Sequence, residues 1–394
     1  MAFADHITVA ELERDPYPIY ARLRREAPVA FVPAVNIWLV TRWNDVELVA
    51  KSPDLFTAEV KTSPIERTFG KPTILTTDGP VHRELRAGID PKYKPKPVAG
   101  YIEQLVRPIA EEYLAPLLAK GGGDLMAEYF EPISTLSLAG SFGFHDIDMP
   151  TLRRWFYGLA QGAINFENDP ERQRIGDAVS AEISGVAERI FERLERQPDD
   201  TALSHMLHDG MPAGKTRPRE LLLPTVKVTL LGGMQEPGHG AGSVLVGLLQ
   251  NPDQLVVLRN DLDELLPRAV DEGLRWVAPI GTQTREATRD IELGGATIPA
   301  GAAVGALVSS ASRDETRFTD PDSYNLHRNE GPHAAFGFGQ HFCSGRWFAR
   351  AQVIVALRVL LEGCAEIVLD PARLPQFHGW EFRAPTALHV SLRA

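Results

Sequence analysis

The stretch "FGFGQHFCSG", residues 336–345, decides how the rest of the chain is read. It sets Cys343, one of two cysteines, among glycines and aromatics: Phe336, Gly339, Cys343 and Gly345 give the spacing F-x-x-G-x-x-x-C-x-G. A stretch of helical character, "RWFARAQVIVALRVLLEG", follows at once. A thiol placed just before a helix has amide N–H groups to stabilise its anion. Glycines at 339 and 345 let the backbone approach a flat ligand where a Cβ would stand in the way. A lone cysteine is as a rule a small buried residue without chemistry. The surrounding pattern is what makes Cys343 a candidate axial metal ligand, and Cys364 has no such nest.

Composition narrows the setting. The chain has 394 residues, 44% hydrophobic and 24% charged; its length allows two or three domains, but no linker divides it, so a single globular domain over 1–394 stays open, as the resemblance given below implies. A net charge of -11 argues against nucleic acid, which needs a basic surface. Two cysteines are too few for a disulfide framework and lack zinc-ligand spacing. Nothing has the apolar length of a signal, an anchor or a membrane span, so a cytoplasmic protein that leaves membranes alone is expected. Apolar residues recur at three and four in "ELERDPYPIYARLRREA", "AGYIEQLVRPIAEEYLAPLLAK" and "GDAVSAEISGVAERIFERLERQ", which predicts a mainly α protein. Small β-sheets are expected from "PVAFVPAVNIWLVTR", "IELGGATIPAGAAVGALV" and "TALHVSLRA".

The cysteine nest resembles the haem-binding loop of the cytochrome P450 family, and other stretches join it in the family's order. "EGLR", Glu272 to Arg275, is similar to its E-x-x-R pair, and "FTDPDSYNLHR" supplies Arg328 to complete a buried Glu-Arg-Arg network. "DGPVHRELR" resembles the haem-facing helix start, with His82 and Arg86 directed at a propionate. Arg285 and His341 bring the potential cations to four, against the two carboxylates of haem b. The resemblance implies a triangular, mainly helical fold with haem between a long central helix and the cysteine loop. It also implies oxygen chemistry, in which the thiolate pushes electron density through iron and favours O–O cleavage.

"TVKVTLLGGMQEPGHGAGSVLVGLL" stands where the family has its central helix and the pattern A/G-G-x-D/E-T. Here an amide and an acid, Gln235 and Glu236, replace the acid and alcohol that relay protons. Glu236 is therefore the expected proton handler. Pro237 lacks an N–H and its ring crowds the carbonyl of Gly233, so the helix should kink or open there.

"LLGGMQEPGHG", "DGMPAGKTRPRE" and "FHGWEFRAPTALHV" are similar to the bacterial subfamily that O-demethylates lignin-derived methoxyphenols such as guaiacol and syringol. That resemblance implies a pocket of Phe69, Leu75, Ala163, Phe166, Val228, Gly232 and Phe382, with the two phenylalanines at 69 and 382 holding the ring. Ala163 stands where the guaiacol-specific relatives carry phenylalanine, which favours a dimethoxyphenol of the syringol type. Electrons would come from a ferredoxin or reductase docking at Lys92, Lys94, Lys96, Arg346 and Arg350, with O2 as oxidant. Two other readings stay open at this point: a peroxide-driven haem enzyme, and a haem-thiolate sensor without turnover.

Overall fold

The computed structural model describes residues 3–61, 63–165 and 168–394. Eleven helices matter for the site. They are α1 (Trp43–Lys51), α2 (Pro64–Phe69), α3 (Gly79–Ile89), α4 (Pro95–Lys120), α5 (Glu131–Phe142), α6 (Met149–Ala163), α7 (Pro170–Arg196), α8 (Arg219–Met234), α9 (Glu236–Gln250), α10 (Leu262–Trp276) and α11 (Arg346–Gly363).

Helix α4 shows why this sequence coils. Val98, Ile102, Val106, Ala110, Leu114 and Leu117 fall at intervals of three and four and are all buried, and Gly121 ends the helix in a left-handed turn at φ 79°. The helix closest against α4 is α11, the one that follows the cysteine loop, and its Leu357 and Leu360 are fully enclosed. Cutting one such leucine to alanine costs about 2–5 kcal/mol, since the cavity left behind closes only in part. This apolar contact is the floor on which the loop rests.

The β signals resolve into small sheets. Val29–Val32 and Ile37–Val40 form a hairpin, and Ala303–Leu307, Thr282–Ala287 and Phe56–Thr57 extend it to five strands. Among the described residues only the Ile37–Val40 and Ala303–Leu307 pairing is parallel. Within the sheet Arg285 lies opposite Val304. A separate hairpin turns through Gly294 and Gly295 at φ 57° and 84°, where an L side chain would be strained. The mainly helical architecture with small sheets is thus the one expected.

The central helix opens where Pro237 requires it. Helix α8 stops at Met234, Gln235 sits between the two helices at φ −114°, and α9 begins at Glu236 with the proline in its first turn. Proline is tolerated there because the first N–H groups of a helix have no partner inside it. The new helix starts with His239 N–H donating to the Gln235 carbonyl at 2.8 Å.

Candidate active site

The cysteine loop is built by short backbone contacts. Cys343 N–H donates to the Phe336 carbonyl at 3.0 Å, and Gly337 N–H to that of Ala334 at 2.7 Å. Gln283, on the Thr282–Ala287 strand, accepts from Phe338 N–H at 3.1 Å. Gly339 has φ 68°, and a Cβ there would strike the Ala50 carbonyl at 2.7 Å, so this glycine seats the loop on α1 instead of clearing a ligand. Gly345 differs, because a Cβ there would meet nothing within 4 Å. Burial pushes the Cys343 thiol up, and the Gly345 amide with Arg86 and Arg346 only partly offsets this. The helix start therefore does not ionise the thiol by itself, whereas a coordinated metal would.

Around the loop lies a set of buried polar groups with spare capacity. His82 and His341 stack with ring centroids 4.1 Å apart, and His82 Nε2, His341 Nδ1 and Arg285 Nη2 are enclosed without a hydrogen-bond partner among the described residues. Unpartnered buried polar atoms are costly, and two of these, His82 Nε2 and Arg285 Nη2, can donate to a ligand bearing carboxylates. That chemistry suits the propionates of haem. The four expected cations reduce to two, however. Burial, with His341 and Arg86 nearby, takes His82 down to about 4, and burial lowers His341 as well. A neutral His341 that gives its Nε2–H to Asp78 leaves Nδ1 an acceptor, so of the two rings only His82 can donate. Arg285 is pushed down to about 10 by burial and keeps its charge at neutral pH.

Arg86 is placed differently from the expectation. Its Nε donates to Asp90 at 2.8 Å and its Nη1 to the Phe342 carbonyl at 2.8 Å, so it clamps α3 to the cysteine loop. Asp78, which no motif singled out, accepts from His341 Nε2 at 2.9 Å, Thr57 at 2.8 Å and Ala58 N–H at 2.8 Å. Burial raises its carboxyl, but these bonds together hold it below the usual carboxylate range. Its position just before "GPVH" is a helix-start signal, which is how it could have been found.

Behind the loop, Arg275 binds Glu272 through Nε at 2.7 Å and Nη2 at 2.9 Å, and Arg328 Nε lies 3.2 Å from the same carboxylate. Arg275 also donates to the carbonyls of Ser312, Pro321 and Ser323, so the buried network shapes the segment leading into the loop.

On the other side of the site, Gly232 is exposed within α8 and a Cβ there would meet nothing within 4 Å. Leu75 is 45% exposed, and Phe382 is half-buried against the main core. Phe69, Ala163 and Val228 are instead all closed in the main core, where α2, α6 and α8 pack on one another. Phe166 lies outside the described residues. Glu236 is buried and neither carboxylate oxygen has a hydrogen-bond partner of good geometry among the described residues. Burial pushes its pKa up to about 8 despite the nearby Glu236 and Gln235 amides. Gln235 turns away, donating from Nε2 to Glu131 at 2.6 Å.

The basic patch also changes. Lys92 is buried, bound to Asp200 at 2.7 Å and set over the Tyr101 ring, so it is a structural residue. Arg350 is paired with Asp271 at 2.6 Å, while Lys94 and Lys96 are exposed.

Comparison with known proteins agrees with this geometry. The cytochrome P450 family profile matches residues 259–374, which hold the Glu-Arg-Arg network and the cysteine loop. The chain is 30% identical to cytochrome P450 monooxygenase PikC of Streptomyces venezuelae, over 96% of this chain and 91% of that one. It is 29% identical to the methyl-branched lipid omega-hydroxylase of Mycobacterium tuberculosis, over 90% and 86% of the two chains. The ligand-free structure of cytochrome P450 TbtJ1 superposes with a TM-score of 0.85 at 28% identity, covering 97% of this chain and 99% of that one.

Proposed function

The chain belongs to the cytochrome P450 family and is a haem b monooxygenase; from that premise we propose that it removes the methyl group of methoxyphenols, syringol ahead of guaiacol. Cys343 would hold the iron, with His82 and Arg285 donating to the propionates, His341 held on Asp78 against His82, and Arg86 bracing the loop between Phe336 and Gly345. When bound, haem supplies with O2 and electrons from a redox partner the oxidant that takes a hydrogen from the methoxy methyl. Hydroxylation of that carbon gives a hemiacetal, which collapses to a catechol-type phenol and formaldehyde.

The observation that carries the substrate reading is the break in the central helix. The "GGMQEPGHG" segment leaves Gly232 bare beside the open space, while Glu236 is held protonated close by. A glycine there lets the backbone meet a small flat phenol, where a larger side chain would fill the room. Leu75 and Phe382 supply apolar walls. Phe69, Ala163, Val228 and Phe166 belong to the reading as residues that a bound ring would draw into contact. Peroxide in place of O2 and electrons is the second reading, favoured by the carboxyl of Glu236: a protonated carboxyl gives its proton to the leaving peroxide oxygen and takes one from the other oxygen in exchange.

A spectral titration across guaiacol, syringol and non-phenolic methoxyarenes, paired with formaldehyde assay, tests the assignment. Saturable shifts and formaldehyde from the phenols are expected. Formaldehyde from none of them would overturn the reading and leave a monooxygenase of other specificity.

A further inference from the structure

The start of α3 holds an acid that turns away from its own helix. Asp148, Asp169 and Asp261 stand at the same position before α6, α7 and α10, and each accepts from backbone N–H groups of the turn that follows it. Asp78 makes no such bond among the described residues. Its carboxylate takes four donors from elsewhere instead. Oδ1 accepts from His341 Nε2 at 2.9 Å and from Gln340 Nε2 at 2.6 Å, both in the cysteine loop. Oδ2 accepts from Thr57 Oγ1 and from Ala58 N–H, each at 2.8 Å, at the edge of the five-stranded sheet. His341, held in this way, stacks on His82 with ring centroids 4.1 Å apart. His82 lies one turn after Asp78 in α3, and its Nε2 is enclosed without a partner among the described residues. One carboxylate thus fixes both the helix that carries His82 and the ring packed on it.

We infer that Asp78 is a positioning residue for haem: through His341 and the start of α3 it aims His82 Nε2 at a propionate. The inference rests on the reading of His82 as a propionate donor and not on the substrate assignment. Two oxygens that take two donors each use all the lone pairs of a carboxylate, so an amide of the same shape cannot stand in. Asp78→Asn turns an NH2 group toward one pair of donors and breaks that side.

A competing effect has the opposite sign. Asp78 lies near enough to Arg285 to favour its charged form, and as a like charge it would repel a propionate bound there. A carboxylate already satisfied by four donors acts weakly at a distance, whereas a donor aimed wrongly loses its bond outright. Positioning therefore outweighs repulsion, and removing the acid loosens haem.

The test is a double-mutant cycle on the haem-loaded protein, read as the rate of haem loss to an excess of apomyoglobin. His82→Phe keeps a ring against His341 and removes the donor, and should speed haem loss about tenfold, the worth of one hydrogen bond to a charged group. Asp78→Asn should speed it by a similar factor. The double variant should lose haem no faster than either single one, because each breaks the same bond. An Asp78 that only holds the fold would multiply the two losses, to about a hundredfold. Should Asp78→Asn not fold, His341→Phe, which keeps the stack and loses the bond to Asp78, takes its place in the cycle with the same expectations. Unchanged or slower haem loss from the substitution, or a multiplied loss in the double variant, would overturn the inference and leave His82 as the donor. A His82→Phe protein that keeps its haem as wild type does would overturn the propionate reading, and the inference with it.

Discussion

At the scale of single residues, Glu236 shows how burial sets chemistry. An ordinary glutamate is ionised at neutral pH, but here burial holds the proton until about 8. The folded protein binds this proton more tightly than the unfolded chain, so the stability contributed by protonated Glu236 is present below the unfolded value and is lost as pH rises toward about 8. Glu236→Gln should therefore have little effect on Tm near pH 5 and raise it relative to wild type near pH 8, by roughly a few degrees, the response of a chain this size to about 1–2 kcal/mol. Thermal unfolding of both proteins at the two pH values checks this, and a gap that narrows toward pH 8 would contradict it. The same variant should depress peroxide-driven turnover more than substrate binding. Cys343 is the other decisive residue. Cys343→Ala should abolish the red-shifted Soret band of the reduced carbon monoxide complex, while Cys364→Ser, at a buried cysteine outside the loop, should leave it intact.

At the scale of elements, periodicity and breakers made most of the fold legible. Intervals of three and four gave α4 and α7, the paired glycines at 294 and 295 gave a hairpin, and Pro237 gave the division between α8 and α9. What stayed hidden was pairing across the chain. Glu131 meets Gln235 from 104 residues away, and Asp78 meets His341 across 263, so no local spacing could reveal either. Lys92 misled for the same reason: in sequence it is one of three lysines in a basic run, and only the fold brings Asp200 and the Tyr101 ring to it. Charge also reads poorly from sequence, since the two histidines that looked like cations are neutral once buried. The Glu272–Arg275–Arg328 network was legible because i and i+3 share a helix face. Removing its acid with Glu272→Gln should destabilise by about 3–5 kcal/mol, because buried Arg275 loses its counter-charge, while Arg328 keeps Glu330. Chemical denaturation measures this, and a loss below about 1 kcal/mol would contradict it.

At the scale of the whole molecule, a strongly acidic protein keeps Lys94 and Lys96 exposed at the start of the helix that packs against α11. Lys94 and Lys96 open α4, and Arg346 caps the loop by donating to the Cys343 carbonyl at 2.8 Å. Charge reversal at Lys94 and Lys96 should slow reduction by an acidic electron donor at low salt and lose its effect as salt is raised. Reversal at Lys92 should act on stability instead. Stopped-flow reduction across ionic strength separates the two, and equal kinetics in the double-reversed protein would place docking elsewhere. No helix among the described residues is long and apolar enough to cross a membrane.

The proposal that a second methoxy group is accepted because position 163 is alanine requires the ring to reach a residue that is closed in the main core. The direct measurement is the ratio of kcat/KM for syringol over guaiacol, followed by formaldehyde release, in wild type and in Ala163→Phe. A ratio above one in wild type that falls at least about tenfold in the variant is predicted, the discrimination one bulky group gives in an apolar pocket. A wild-type preference for guaiacol, or a ratio that the phenylalanine leaves unchanged, would contradict the account.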